Sequence, residues 1–579
     1  MARFQALSLY LLSFCLQSFA SPTKAGEPFL KALNSSAWII GNDIWNLTIA
    51  QTYGTKLMYK GYDLVGEAVG HYVSYNGAVD NLNWTSARIV KKSGDYTDIA
   101  FSANEGDMHW VLTPDLFGAY QYFVNRALPT LGEFRTLWRL DNTTFTRGHT
   151  SERDQDLPPL ALILSGTKVQ DETWLLPNGT YVTKYDFATF LPSIEGNLSY
   201  WGVYGQLNGT GAQIGSWYIH AGKDYFNGDH LKQELIVHRE SSSGDAVQLN
   251  MIHGTHYQAV SNDTFPVGKT WGPWLWYVND GSASDAAPRA QQENKDWPYA
   301  WFQDSYGYHS RGSLSGRVVL SDGRAATGAA VFLGDNHPNK TALDQGSWYY
   351  YRTYADSNGN FEFNNVREGM WGLQAWADGG KIGDVTTSFL RNDVSVAKNK
   401  QTKLGTMTWK TQGRKKIWQI GQIDRKATDF EYSGPPHQHA RVVKCPANFT
   451  YTVGKSTTDD WCFGQSDIGK WTVSFDVPPF PSGSSSPAAV LSVSLAGYSS
   501  GVSSNILANN VMIGNLTSED ILSDPCLYRS GTLAGEWHYY EFELPAGTLK
   551  KGSNTVDFQC TRTTLWHGFM WDSVMLEWK

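Results

Sequence analysis

The chain has 579 residues, 47 Lys and Arg against 55 Asp and Glu, a net charge of −8, 24 tryptophans and 30 tyrosines. The acidic balance argues against nucleic acid as a partner, because phosphates demand a basic footprint. The length is too great for one core, so two to four domains are expected.

Residues 1–20 read as a secretory leader: Arg3, an apolar run from Leu7 to Leu16, and small residues at Ser18 and Ala20. The run is too short for a membrane span, and no later run is longer. Removing it takes away Arg3 and leaves 46 cations against 55 acids, a net charge of −9. An extracellular protein without a membrane anchor is expected. Eleven Asn-x-Ser/Thr sequons, from Asn34 to Asn515, fit such a surface.

Short alternating runs separated by turn residues dominate the chain, and long helical periodicity is scarce. GRVVL (316–320), NFEF (360–363), WTVSFDV (471–477), LSVSL (491–495) and YYEFEL (539–544) read as strands at sandwich-like spacing. The fold class is therefore all-β. Residues 21–307 hold most of the tryptophans. Near Tyr308 the texture changes: Arg311 to Leu333 is strand, turn and strand with little aromatic content, and Asn358-Gly359 before NFEF is a hairpin signal. That region, 308–410, reads as a small Ig-like or fibronectin-like sandwich. A third region, 411–579, holds every cysteine outside the leader, with PSGSSSP (481–487) as a loop.

Those four, Cys445, Cys462, Cys526 and Cys560, suggest two disulfides in an oxidising compartment. Three pairings are open, and the nearest-neighbour choice is Cys445–Cys462 with Cys526–Cys560. No CxxC spacing supports a metal instead. His437 and His439 in PPHQHAR lack partner carboxylates at useful spacing and read as loop residues, so no metal site is assigned.

The cationic pattern is the chemical clue. GEFRTLWRL (132–140) carries Arg135 and Arg139, TYVTKYDF (180–187) carries Lys184, and MIHGTHYQ (251–258) carries His253 and His256. Arg forks onto a carboxylate with two parallel hydrogen bonds. A desolvated Lys beside other cations loses proton affinity and can act as a base. Together they suit elimination on a uronic-acid polysaccharide. As a strand, GEFRTLWRL places Arg135 and Arg139 on one face and Phe134 and Leu140 on the other. On residue types alone, a solvated face or an ion pair with Glu133 or Asp141 is the alternative for the arginines. A snorkelling surface residue in a Tyr-rich strand is the alternative for Lys184, and a packed core histidine for His253 and His256. Trp271, Trp274 and Trp276 are either sugar-stacking residues or core.

The order of these motifs, with WGPWLWYVNDG (271–281), WPYAWF (297–302), RGSLSGRV (311–318) and KKIWQIGQIDRKATDF (415–430), resembles the rhamnogalacturonan lyases, polysaccharide lyase family 4. The resemblance spans nearly the whole mature chain. It implies a large β-sandwich catalytic domain, a fibronectin III-like domain and a jelly-roll domain resembling carbohydrate-binding modules. It also implies β-elimination at galacturonate in the rhamnose–galacturonate backbone of pectin. Lys184 is then the base and His256 the proton donor, with a one-residue shift of register, and Arg135 and Arg139 hold the uronate. His253 and Trp274 are further substrate-binding candidates. The family's two tyrosines just upstream are replaced by Gln248 and Asn250. No cofactor is expected to be required, calcium is left open, the partner is an acidic pectic polysaccharide, and a monomer is expected. Two rivals remain: a glycoside hydrolase, with Glu133 and Asp186 as its acids, and a non-catalytic carbohydrate-binding protein.

Overall fold

The computed structural model describes residues 26–76, 80–189, 199–207, 209–226, 234–254, 264–339, 348–434, 439–479, 486–517, 527 and 536–579. The leader, His256, His437, Cys526 and most of the Pro481–Pro487 loop lie outside the described residues.

The chain is all-β, as its alternating pattern implies. Residues up to Asn279 build two large antiparallel sheets, one of ten strands and one of nine. The central strands of the ten-stranded sheet are Gly70–Tyr75, Glu133–Leu140 and Ala246–Gly254, with Val237–Arg239 at its edge. Tryptophans fill the space between the sheets. Trp138 stacks on Trp276 with centroids 4.6 Å apart and meets Trp110 edge-on at 6.3 Å. Such aromatic pairs each add about 0.5–1.5 kcal/mol beyond the area they bury.

The longest helix among the described residues, Ala283–Asp296, is one the strand-dominated sequence does not announce. Ser282 caps it by accepting from the Asp285 amide, and its Glu293 is buried against the outer face of the nine-stranded sheet. There Glu293 accepts from the hydroxyls of Tyr120 (3.0 Å) and Tyr299 (2.6 Å), which satisfies a charge that would otherwise be costly to bury.

The next unit pairs a three-stranded with a four-stranded sheet. Asn358-Gly359 is a turn, with Gly359 at φ +81° and the Asp356 carboxylate accepting from the amides of Asn358 and Asn360. It is not the expected hairpin, because Tyr351–Tyr354 pairs in one sheet and Asn360–Arg367 in the other. An Asn-Gly pair specifies positive φ, not which sheet the next strand joins. A buried ionic hub seams this unit to the first. Asp224 accepts from Arg311 and Arg367, both at 3.0 Å, and Arg367 also pairs with Asp304 at 2.5 Å.

The last unit is two five-stranded sheets facing one another. Cys445 and Cys462 are bridged, with Cα atoms 5.6 Å apart. Of the expected second bridge, Cys526 lies outside the described residues. Cys560 is a buried free thiol donating to the Arg562 carbonyl at 3.7 Å. The first unit also leans on this one: Tyr185 and Ala188 are buried in its core, and Tyr181 meets Trp566 edge-on at 5.1 Å.

Candidate active site

The Glu133–Leu140 strand alternates as expected. Phe134, Trp138 and Leu140 enter the core between the sheets, and Thr136 reaches across to the Tyr218 hydroxyl at 3.0 Å. The odd positions, Glu133, Arg135, Leu137 and Arg139, therefore share the opposite face. Strand pairing adds neighbours to that face: Ser74 beside Arg135, Tyr72 beside Leu137, Val247 beside Arg139 and His238 beside Val247.

Each arginine has a protein carboxylate. Arg135 is buried, donates to Ser74 Oγ at 2.9 Å and pairs with Glu133 at 3.2 Å, the ion pair its own strand offers. Arg139 is one-fifth exposed and reaches Glu240 at 3.2 Å and Asp245 at 3.8 Å. Those two acids bracket the turn that joins Val237–Arg239 to Ala246–Gly254, about a hundred residues away in sequence. Asp141 is not its partner.

Tyr72 is the residue that sequence reading misses. It stands between the two arginines, with the Arg139 guanidinium carbon 6.0 Å from its ring centre. Burial pushes its phenol up, while Arg139, Arg135 and a hydrogen bond from Arg139 pull it back, with a net rise. The phenol therefore keeps its proton at neutral pH. A guanidinium offers no acceptor, so that proton is not engaged by either arginine. The only signal in the sequence was the alternation in HYVSY, which cannot say what faces Tyr72.

Lys184 is not in a strand. It opens a short 3-10 turn, Lys184–Phe187, capped by the Thr183 hydroxyl, which accepts from the Tyr185 amide at 3.3 Å. Its ammonium lies 5.4 Å from the Tyr185 ring centre, and it is half-buried. The turn packs against Val237–Arg239, the edge strand of the sheet that carries the arginines. Lys184 is thus brought to the border of the same sheet.

His253 and Trp274 are placed differently from the sequence expectation. His253 is fully buried, packed edge-on against Phe265 (4.8 Å) and Trp271 (6.3 Å). Burial, with a further push from the Lys269 charge, drives its pKa down to about 3, so it is neutral. Trp274 is also fully buried, and its indole donates to Gln121 Oε1 at 2.8 Å. Neither is open to a sugar, and Trp271 and Trp276 are equally buried. The replaced tyrosine positions face inward too. Gln248 accepts from Ser216 at 2.6 Å and donates to the Trp201 carbonyl, and Asn250 is buried.

His439 begins a 3-10 turn, and among the described residues no cluster of three or more His, Cys, Asp or Glu forms a metal site. Both guanidiniums of the two-arginine face are thus paired with protein carboxylates, and Lys184 lies at the border of the same sheet.

Comparison with known proteins decides the family. Residues 321–404 match the model described as polysaccharide lyase family 4, domain II, and residues 416–576 match domain III, CBM-like. A rhamnogalacturonate lyase of Dickeya dadantii is 32% identical over 84% of this chain and 82% of its own length. The chain belongs to polysaccharide lyase family 4. Fungal relatives are more distant. A probable rhamnogalacturonate lyase C of Aspergillus oryzae is 25% identical over 77% of the chain and 74% of its own length. Rhamnogalacturonate lyase B of Emericella nidulans is 23% identical over 94% of each. The protein is a polysaccharide lyase, which sets aside the hydrolase and the non-catalytic readings. Among the described residues, the lyase has no helix long and apolar enough to cross a membrane.

Proposed function

We propose that this lyase is a secreted endolyase that cleaves the rhamnose-α-1,4-galacturonate bond of rhamnogalacturonan I by β-elimination. The observation that carries the reading is the shared face of Arg135 and Arg139 with Tyr72 between them, in a chain whose relatives are named rhamnogalacturonate lyases. The C5 proton of galacturonate is acidic only when the adjacent carboxylate is neutralised. Arg135 and Arg139 supply that charge by sharing or replacing the contacts they make to Glu133 and Glu240. Lys184 takes the C5 proton. The C4–O4 bond breaks with its electron pair going to O4, and a C4–C5 double bond forms. His256 gives O4 its proton. The product is an unsaturated galacturonate at the new non-reducing end. No metal is assigned a step.

The test is to incubate the mature chain with rhamnogalacturonan I and with homogalacturonan and follow ultraviolet absorbance. Absorbance should rise with rhamnogalacturonan I. A rise with homogalacturonan alone overturns the assignment, and new reducing ends without absorbance overturn elimination.

A further inference from the structure

A second feature, sharing no residue with the two-arginine face, lies where the second and third units meet. The Gly380–Ile382 turn and the residues after it close against the Lys415–Gly421 strand and leave a cleft of about 450 Å³. That is within the range of small-ligand sites.

The donors and acceptors lining it are strongly unbalanced. Arg324 is already held by Asp322 (2.8 Å) and Asp384 (2.7 Å), which uses up the carboxylates at that wall. The exposed Lys381 and Lys416 have no carboxylate partner among the described residues, and Lys416 donates to Gln419 Oε1 at 3.0 Å. Gln419 is tied down in turn by donating to the Gly383 carbonyl at 2.6 Å. Gln422 accepts from the Gly380 amide through Oε1 at 2.5 Å, and its Nε2 has no acceptor among the described residues. Close approach matters here, because a Cβ at Gly383 would sit 2.8 Å from Gln422 Oε1.

Two ammoniums and an amide donor thus face a cleft whose carboxylates are already engaged. A ligand there must bring its own acceptors and negative charge. In a chain of net charge −8, such a local field is what lets an acidic polymer approach. We propose that this cleft is an auxiliary binding site for uronate carboxylates of an acidic polysaccharide, separate from the catalytic face. Bridging two units, a bound chain would also hold them together.

Affinity electrophoresis in gels containing polygalacturonate, with neutral galactan gels beside them, tests it on the full mature chain. The Lys381→Ala/Lys416→Ala double variant should lose polygalacturonate retardation at least about fivefold. It should keep the wild-type melting temperature and the wild-type elimination rate on short oligosaccharides. Gln422→Ala should weaken retardation less. Double-variant retardation equal to wild type, or equal retardation of wild type by neutral galactan, overturns the proposal. Suppression of retardation by millimolar inorganic sulfate at constant ionic strength would show a general anion site and also overturn it. Binding is read without turnover, so a negative result here leaves the elimination reading untouched, and the reverse holds.

Discussion

Arg139 lies 6.0 Å above the ring of Tyr72, and Tyr72 in turn faces Arg135 across one side of the ten-stranded sheet. Strand pairing enforces this: Tyr72 is opposite Leu137, midway between the two arginines. The phenol is the only neutral donor of the three. Tyr72→Phe keeps the ring under Arg139 and removes one hydrogen bond to a charged partner, about 1.5–3 kcal/mol. Turnover should fall by about tenfold or more with the fold intact, read as initial rate beside a melting curve. An unchanged rate excludes a role for the hydroxyl.

Arg135→Lys and Arg139→Lys keep the charge and lose the planar fork. Each should lower turnover markedly, with Arg139→Lys also freeing Glu240 and Asp245 from their guanidinium partner. Near-wild-type rates in both variants contradict bidentate recognition of the uronate.

Lys184→Ala and His256→Ala should each cost at least about a hundredfold in turnover, the scale of general acid–base groups. His253→Ala should act differently. Its ring is buried between Phe265 and Trp271, so the main loss is stability, on the order of 2–4 kcal/mol for a large-to-small change in a core. A His253 variant that melts like wild type yet is inactive would move the proton donor to that position.

Acid should destabilise the first unit before any catalytic group matters. His253 and His71 are both fully buried, with pKa pushed down to about 3 by burial. The unfolded chain binds these protons near pH 6.5 and the folded one only near 3. Stability is therefore full above pH 6.5 and falls as pH drops from 6.5 toward 3, by about 1.4 kcal/mol per pH unit for each histidine. Urea melts at pH 7 and pH 5 read this, and His71→Gln should flatten the slope. Equal midpoints at the two pH values argue that neither ring is shielded.

Thiol titration of the denatured, unreduced mature chain should find two reactive thiols, since Cys445 and Cys462 are bridged and Cys560 is free. Finding none would establish a second bridge. Cys445→Ser should loosen the last unit by about 2–4 kcal/mol.

The class of fold and one face of the site were legible in residue alternation alone. Period-two alternation in Glu133–Leu140 fixes which side chains share a side, because a pleated strand allows nothing else. Hence Arg135 and Arg139 were legible as a pair. Tertiary structure decided who meets them: Tyr72 from one neighbouring strand, and Glu240 and Asp245 from the ends of two others. It also reversed His253. Gln248 and Asn250 pair with the core-facing Trp138 and Thr136, so strict alternation would turn His253 outward with Arg135. A bulge instead sets Arg135 opposite Met251 and Phe134 opposite His253, leaving Ile252 over and folding the imidazole into the core. One extra residue in a strand inverts every direction after it, and no local pattern announces where a neighbouring strand will demand it.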